Sequence, residues 1–180
     1  MAAPSPTRLR HVMLAAGIGS ALEWYDFFIY GMASALVFGP LFFPDYDTTV
    51  GVLASFATFA VGFLARPFGG LFFGHFGDRW GRKPVLVATL LLVGGSTFAI
   101  GLLPTYSQVG FWAPVMLLTM RLLQGFGAGA EYGGAVVMAV EFAPEGRRGL
   151  YGAFAPMGTT AGNALAGLVF MLVGMLTRND

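Results

Sequence analysis

The amino-acid sequence predicts an all-α protein, a polytopic bundle of transmembrane helices. Three observations carry that prediction. Hydrophobic residues make up 56% of the chain and charged residues 11%, with a mean hydropathy of +0.71, far from the balance of a soluble domain. The apolar residues gather into five segments, each near the ~20 residues needed to cross roughly 30 Å of hydrocarbon. The basic residues gather at alternate ends of those segments.

The first segment, residues 12–39, follows Arg8 and Arg10. A short apolar run behind arginines imitates a secretory signal peptide. Here the run continues past Glu23 and Asp26, lacks an obvious small-residue cleavage site and precedes four further apolar segments, so it is a span. Residues 50–73, 84–103, 110–140 and 150–176 supply the others. The connections are short and polar: 40–49 with Asp45 and Asp47, the turn at 78–83, 104–109 and 141–149. None is long enough for a second domain, so residues 1–180 form one unit. Arg8, Arg10, Arg79, Arg82, Lys83, Arg147 and Arg148 fall on one side and Arg178 on the other, which places the amino terminus in the cytoplasm.

Several function classes drop out on composition. A net charge of +1 gives no polyelectrolyte partner, so no nucleic acid is expected. The absence of cysteine removes disulfides, thiolate metal sites and Cys nucleophiles. His11 and His75 lie far apart without acidic neighbours at ligand spacing, so no metal site is expected. Residues 125–130, Gly-Phe-Gly-Ala-Gly-Ala, match a loose dinucleotide fingerprint. That fingerprint needs a preceding strand, whereas Arg121-Leu122-Leu123-Gln124 precedes it inside an apolar run. No cofactor and no enzymatic activity are expected. Gly125, Gly129 and Gly133, like Gly158, Gly162 and Ala166, instead recur every fourth residue, the spacing of close helix contacts in a bilayer.

Five ionisable residues lie within the spans: Glu23, Asp26, Arg66, Arg121 and Glu131. A charge near the bilayer centre costs at least ~2.5 kcal/mol and usually persists for function. They either fix helix packing as ion pairs or line a cavity; the cavity is favoured, because packing pairs are replaceable by apolar residues at little cost. Three acids then face two arginines, and one proton would balance the set. Asp26 is the first candidate for that proton, since it shares a helix face with Glu23 and like charges repel; Glu23 and Glu131 follow. Glu23-Trp24 and Glu131-Tyr132 also echo each other on spans of opposite direction, as inverted repeats would. Arg66 and Arg121 are candidate sites for an anionic group. Tyr25, with Trp24 and Tyr30, lines a substrate pocket or packs in an aromatic belt, and Asn163 hydrogen-bonds to substrate or to a neighbouring helix. His75 sits at the membrane boundary beside Asp78 as an interfacial residue.

The run Gly74-His75-Phe76-Gly77-Asp78-Arg79-Trp80-Gly81-Arg82-Lys83 resembles the signature that major facilitator superfamily transporters carry between their second and third spans. Arg121-Leu122-Leu123-Gln124-Gly125 and Glu141-Phe142-Ala143-Pro144 followed by Arg148-Gly149 resemble two further motifs of that superfamily, in order and at span boundaries. Residues 23–31 and 63–70 resemble the metabolite:proton symporter family within it. The resemblance implies a twelve-helix fold of two halves, with a small organic acid or zwitterion carried together with a proton through a site between them. It implies a cytoplasmic gate in which Asp78, Arg79 and Arg82 pair with Glu141 and Arg148, supported by Gly74, Gly81 and Lys83. It also implies a bacterial cytoplasmic membrane. Five spans correspond to an incomplete N-terminal half, so the chain is expected to be a truncated portion lacking its C-terminal partner half, and not to transport by itself.

Overall fold

A computed structural model describes residues 6–129, 140, 143, 144 and 146–177. Every regular element among them is helical: α1 (Pro6–Ala33), a π-helical segment (Ser34–Phe38), α2 (Gly39–Phe42), α3 (Thr48–Trp80), α4 (Arg82–Gly101), α5 (Tyr106–Val109), α6 (Trp112–Ala128), α7 (Arg148–Gly152) and α8 (Phe154–Thr177). Four helical stretches are long and apolar enough to cross a membrane among the described residues: Gly17–Phe42, Thr48–Trp80, Pro84–Gly101 and Arg148–Leu176. The expected span at 110–140 is helical over the 17 residues of α6, and most of its remainder lies outside the described residues.

Two boundaries differ from the sequence reading. The first connection is shorter than 40–49, because Pro40 sits inside α2, in which the helical stretch begun by α1 continues to Phe42. At the other end Asp47 caps α3, accepting from Val50 N at 3.0 Å. The second difference concerns the turn expected at residues 78–83. Helix α3 runs into it as far as Trp80. Its 33 residues reach about 50 Å at 1.5 Å per residue, so the helix outlasts the hydrocarbon and the motif extends it as exposed helix. The turn itself is one residue: Gly81, at φ 94° and ψ 146°, ends α3 and begins α4. That backbone region is open to glycine and strained for other residues.

The described chain divides into two compact units, Tyr30–Ala130 and Met1–Ile29 with Glu131–Asp180. In the first, the packing follows the glycines of α3 and α6. A Cβ at Gly69 would run into the Phe126 carbonyl, one at Gly125 into that of Gly62, and one at Gly129 into that of Arg66. The backbones are therefore in direct contact, an approach that small residues permit inside a bilayer. Gly62 faces Gly125 and Arg66 faces Gly129, so α3 and α6 run parallel. Gly127 faces Leu92 and Val93 while Gln124 bonds Thr97, which makes α4 antiparallel to α6. Tyr30 meets Thr58 and Gly39 meets Gly51, so the end of the first span is antiparallel to α3. Alternating directions of this kind are what successive membrane crossings require.

One end of this unit is closed by an apolar cluster of Tyr30, Phe42, Ala113 and Leu117, with Phe38, Phe59 and Ile100 against it. The loops over that end are tied together, since Tyr106 Oη donates to Asp45 Oδ2 at 2.5 Å. Thr105 and Gln108 hold α5 in place with a capping box. By accepting a hydrogen bond from the phenol, Asp45 raises the Tyr106 pKa above its ordinary value of 10.0.

In the second unit, a Cβ at Gly158 would lie 2.7 Å from Ser20 Cβ, and one at Gly162 would lie 2.6 Å from Ala21 O and Tyr25 N. These pairs step in the same direction, so α1 and α8 run parallel, and Ala166 is fully buried along that line.

Gly125→Ala is expected to drive α6 off α3 and lower the melting temperature and folded yield in detergent. Gly94→Ala, at a position with nothing within 4 Å of a new Cβ, is expected to be neutral or stabilising, since Ala favours a helix over Gly by ~0.5–1 kcal/mol. Equal melting temperatures for the two variants would show that the crossing accepts a methyl group.

The loop tie has a testable pH signature. A raised folded-state pKa means that the tie contributes stability below pH 10 and loses it as pH rises through the folded value. Difference titration of tyrosinate absorbance between the parent and Tyr106→Phe is expected to show the missing phenol ionising above 10. Ionisation at or below 10 would rule the hydrogen bond out.

Candidate functional site

Arg121 organises the interior of the unit Tyr30–Ala130. It is carried on α6 about 14 Å from Trp112 by helical rise, and it is 4% exposed. Its stem passes Gly62, where even a methyl group would lie 2.6 Å from the Arg121 Cγ. Its Cζ then lies 3.9 Å from the centroid of the Tyr30 ring and 4.9 Å from that of Phe59. Those rings stack on each other at 5.7 Å and 16°. A guanidinium over desolvated aromatic faces gains about 2 kcal/mol.

Two hydrogen-bonded chains lead away from this point. The Thr58 hydroxyl donates its proton to Ser55 O at 2.7 Å, so in the 2.8 Å contact with Tyr30 the phenol is the donor. Ser55 continues to Gly51 O at 3.0 Å. On the other side, Arg121 Nη1 donates to Gln124 Oε1. Gln124 Nε2 donates to Thr97 Oγ1 at 2.7 Å, and Thr97 donates to Val93 O at 2.9 Å. The chain thus defines which way the Gln124 amide faces. Gln124 is 2% exposed and Thr58 7%, so these polar groups are paired inside, as burial requires.

Arg66 lies one turn along α3 from Gly62. It is half-buried, with its Cζ 5.3 Å from the Phe63 centroid. Pro67 follows it inside the helix and removes the donor that Phe63 O would otherwise meet, a break that membrane helices tolerate.

The acids on α1 belong to the other unit. Glu23 is 6% exposed and Asp26 is half-buried one turn further on. Trp24 between them packs its ring against Phe27 at 5.2 Å and Phe28 at 5.8 Å, so that side of α1 is strongly aromatic. Tyr25 is half-buried, and its backbone meets α8 at Gly162. Asn163, the next residue on α8, is exposed.

Of the expected gate, Gly74 is exposed in α3, and Asp78 and Arg79 are exposed in its last turn. The position of Arg79 suits the negative end of the helix dipole and that of Asp78 opposes it. Gly81 forms the turn, and Arg148 is exposed at the start of α7. Glu131, Glu141 and the side chains of Arg82 and Lys83 lie outside the described residues.

The structure thus brings Arg121 together with Tyr30, Phe59, Gln124, Thr58 and Thr97, of which the sequence offers Arg121 and Tyr30 as candidate site residues and Gln124 as part of the motif at 121–125. Gln124 had a local signal, being three residues from Arg121 and so on the same helix face. Phe59 and Thr97 had none, because only the crossing of α3, α4 and α6 places them there.

Residues 12–180 match the family described as sugar (and other) transporter. The chain is 44% identical over 176 residues to the shikimate transporter of Escherichia coli K12, covering 98% of this chain and 40% of that protein. It is 48% identical over 178 residues to a putative metabolite transport protein of Haemophilus influenzae, covering 97% of this chain and 41% of that one. Against the proline/betaine transporter of Salmonella typhimurium it is 43% identical over 173 residues, covering 96% and 34%. The chain therefore spans about two fifths of the length of the first two relatives. No solved structure matches it significantly. A match over nearly the whole chain, joined to helices of membrane length, means that the chain belongs to the sugar (and other) transporter family of the major facilitator superfamily, whose members are multi-pass membrane transporters and not enzymes.

Proposed function

We propose that these residues form the N-terminal, incomplete half of a symporter that carries a small organic acid or zwitterion together with a proton, with its amino terminus in the cytoplasm. The observation that carries this reading is the buried Arg121 guanidinium, seated on Tyr30 and Phe59 and bonded to Gln124. A planar fork in a dry interior matches a carboxylate bidentately and repels a cation. Shikimate, proline and betaine, the solutes named for the relatives, each carry a carboxylate. Arg66 is a second cationic group for the same purpose, Tyr25 and Asn163 are further substrate contacts, and the second half of the transporter closes the site.

Proton coupling is assigned to Glu23 and Asp26 of α1 and to Glu131. Glu23 and Asp26 lie one turn apart on a buried stretch of α1, where two like charges repel, and Glu131 is the third acid of the set. One proton on Asp26 relieves that repulsion, and loading of an anion at an arginine changes how strongly the proton is held. The orientation rests on the basic residues. Arg147 and Arg148 precede α8, which runs parallel to α1, whose first turns carry Arg8 and Arg10, and Arg79, Arg82 and Lys83 gather where α3 gives way to α4.

In the complete transporter carrying these residues, reconstituted into proteoliposomes, a pH gradient is expected to drive solute accumulation. Asp26→Asn should keep solute exchange and lose that accumulation. Gradient-independent uptake by the parent would make the protein a facilitator. Accumulation unchanged in Asp26→Asn, Glu23→Gln and Glu131→Gln alike would move the proton site to the other half.

Asp78 and Arg79, with Arg82, Lys83, Glu141 and Arg148, are assigned to a cytoplasmic gate whose pairs form when that side closes. Exposed pairs are each worth at most ~1 kcal/mol, enough to bias a two-state equilibrium several-fold. Asp78→Asn is expected to slow turnover with little change in substrate affinity. Unchanged turnover would leave the motif with a topological role alone.

A further inference from the structure

We propose that Tyr30 and Gln124 are positioning residues for Arg121, holding its guanidinium in the plane in which it meets a substrate carboxylate; this rests on the reading of Arg121 as the anion site. The side chain of Arg121 has several rotatable bonds, and a bidentate contact needs its fork held in one plane. Two groups hold it from different directions. The Tyr30 ring lies beneath Cζ, with its centroid 3.9 Å away. Gln124 Oε1 accepts from Nη1.

Neither group is left to choose its own rotamer. Tyr30 donates to Thr58 Oγ1 at 2.8 Å, and Thr58 ends on the Ser55 carbonyl of α3. Its ring is also backed by Phe59 at 5.7 Å and met edge-on by Phe38 at 5.0 Å. Gln124 donates to Thr97 Oγ1 at 2.7 Å, and Thr97 ends on the Val93 carbonyl of α4. Arg121 on α6 is thus oriented by backbone atoms of two other helices, each reached through one threonine hydroxyl. A movement of α3 or α4 against α6 is transmitted to the fork, so the site's grip on an anion depends on how those helices sit.

Tyr30 also stands four residues before the π-helical segment Ser34–Phe38. A π-helical turn adds a residue to the helical register, and here it begins about one helical turn after the residue that seats the arginine. The same ring therefore takes part in the closed apolar cluster at the end of the unit and in the arginine site.

The test measures KM and kcat in the complete transporter for shikimate, proline and glycine betaine, each beside its methyl ester. An ester keeps the shape of the solute and removes the charge that Arg121 would meet. The parent is expected to prefer at least one acid over its ester, and Arg121→Gln to abolish the preference. Tyr30→Phe keeps the ring and loses the bond to Thr58; Thr58→Val loses the same bond from the other side. Each is expected to raise KM for the preferred acid about three- to tenfold, as loss of one hydrogen bond would. KM for the ester and kcat should stay within about twofold. Because the two substitutions remove one interaction, the double variant should match either single one, with no further loss. Gln124→Leu should lower the same preference, with protein levels in the membrane checked for all variants. If Arg121→Gln abolishes the preference while Tyr30→Phe, Thr58→Val and Gln124→Leu all leave it unchanged, Tyr30 and Gln124 only pack and the proposal falls alone. If the parent shows no preference, or Arg121→Gln retains it, the anion site and the proposal fall together.

Discussion

The direct contact of the α3 and α6 backbones at Gly62, Gly69, Gly125 and Gly129 is the constraint on which the rest of the unit Tyr30–Ala130 depends. Within a bilayer, apolar side chains gain nothing by leaving lipid for protein, so helices associate through close packing and polar contacts. Glycine supplies the first by removing every side-chain atom between the two backbones. It also brings Cα hydrogens toward facing carbonyls, a weak attraction that recurs at such crossings. The depth of the crossing then sets what α6 can reach. With a side chain at position 62, the stem of Arg121 could not pass α3 to the rings of Tyr30 and Phe59. The second unit uses the same device on a smaller scale, at Gly158 and Gly162 against α1.

An arginine at membrane depth costs about 2.5 to 3.5 kcal/mol on insertion scales. The surroundings of Arg121 offer compensation of the same order. A desolvated cation–π contact contributes about 2 kcal/mol, and a hydrogen bond to a charged group about 1.5 to 3 kcal/mol. Two aromatic rings and a neutral amide are among the groups that hold the guanidinium. The hydroxyls of Thr58 and Thr97 in turn hold two of these groups: each spends its proton on a carbonyl of its own helix and keeps its oxygen for the neighbour.

The two ends of this unit are built differently. Toward Phe42, Leu117 and Tyr106 the helices converge on an apolar cluster, and the Tyr106 to Asp45 hydrogen bond fastens the loops above it. Toward Trp80 a single residue, Gly81, joins two long helices, and the last turn of α3 exposes the charged side chains of Asp78 and Arg79. Apolar packing resists separation, whereas exposed charges exchange protein partners for water at small cost. A difference of that kind favours movement at the charged end over movement at the packed end.

The helical, membrane-spanning character was legible in composition and segment length, because a bilayer admits few structures and imposes their dimensions. The family could be read at residues 74–83 and 121–125, where a short polar turn and an arginine are conspicuous in apolar surroundings. The shape of that turn could not. Helix α3 outruns its apolar segment, and the residues taken for a loop are helix up to Gly81. The glycine spacing announced close packing but not the partner: Gly125 recurs with Gly129 along one helix, and only the crossing shows that both press on the backbone of α3. The ionisable residues stood out for their cost, so Glu23, Asp26, Arg66 and Arg121 could be named from the sequence. The seat of Arg121 could not, since Phe59 and Thr97 are ordinary residues of apolar helices lying 62 and 24 positions away in sequence. A periodic pattern reports which face of a helix is special; which neighbours that face meets is decided by how the helices cross.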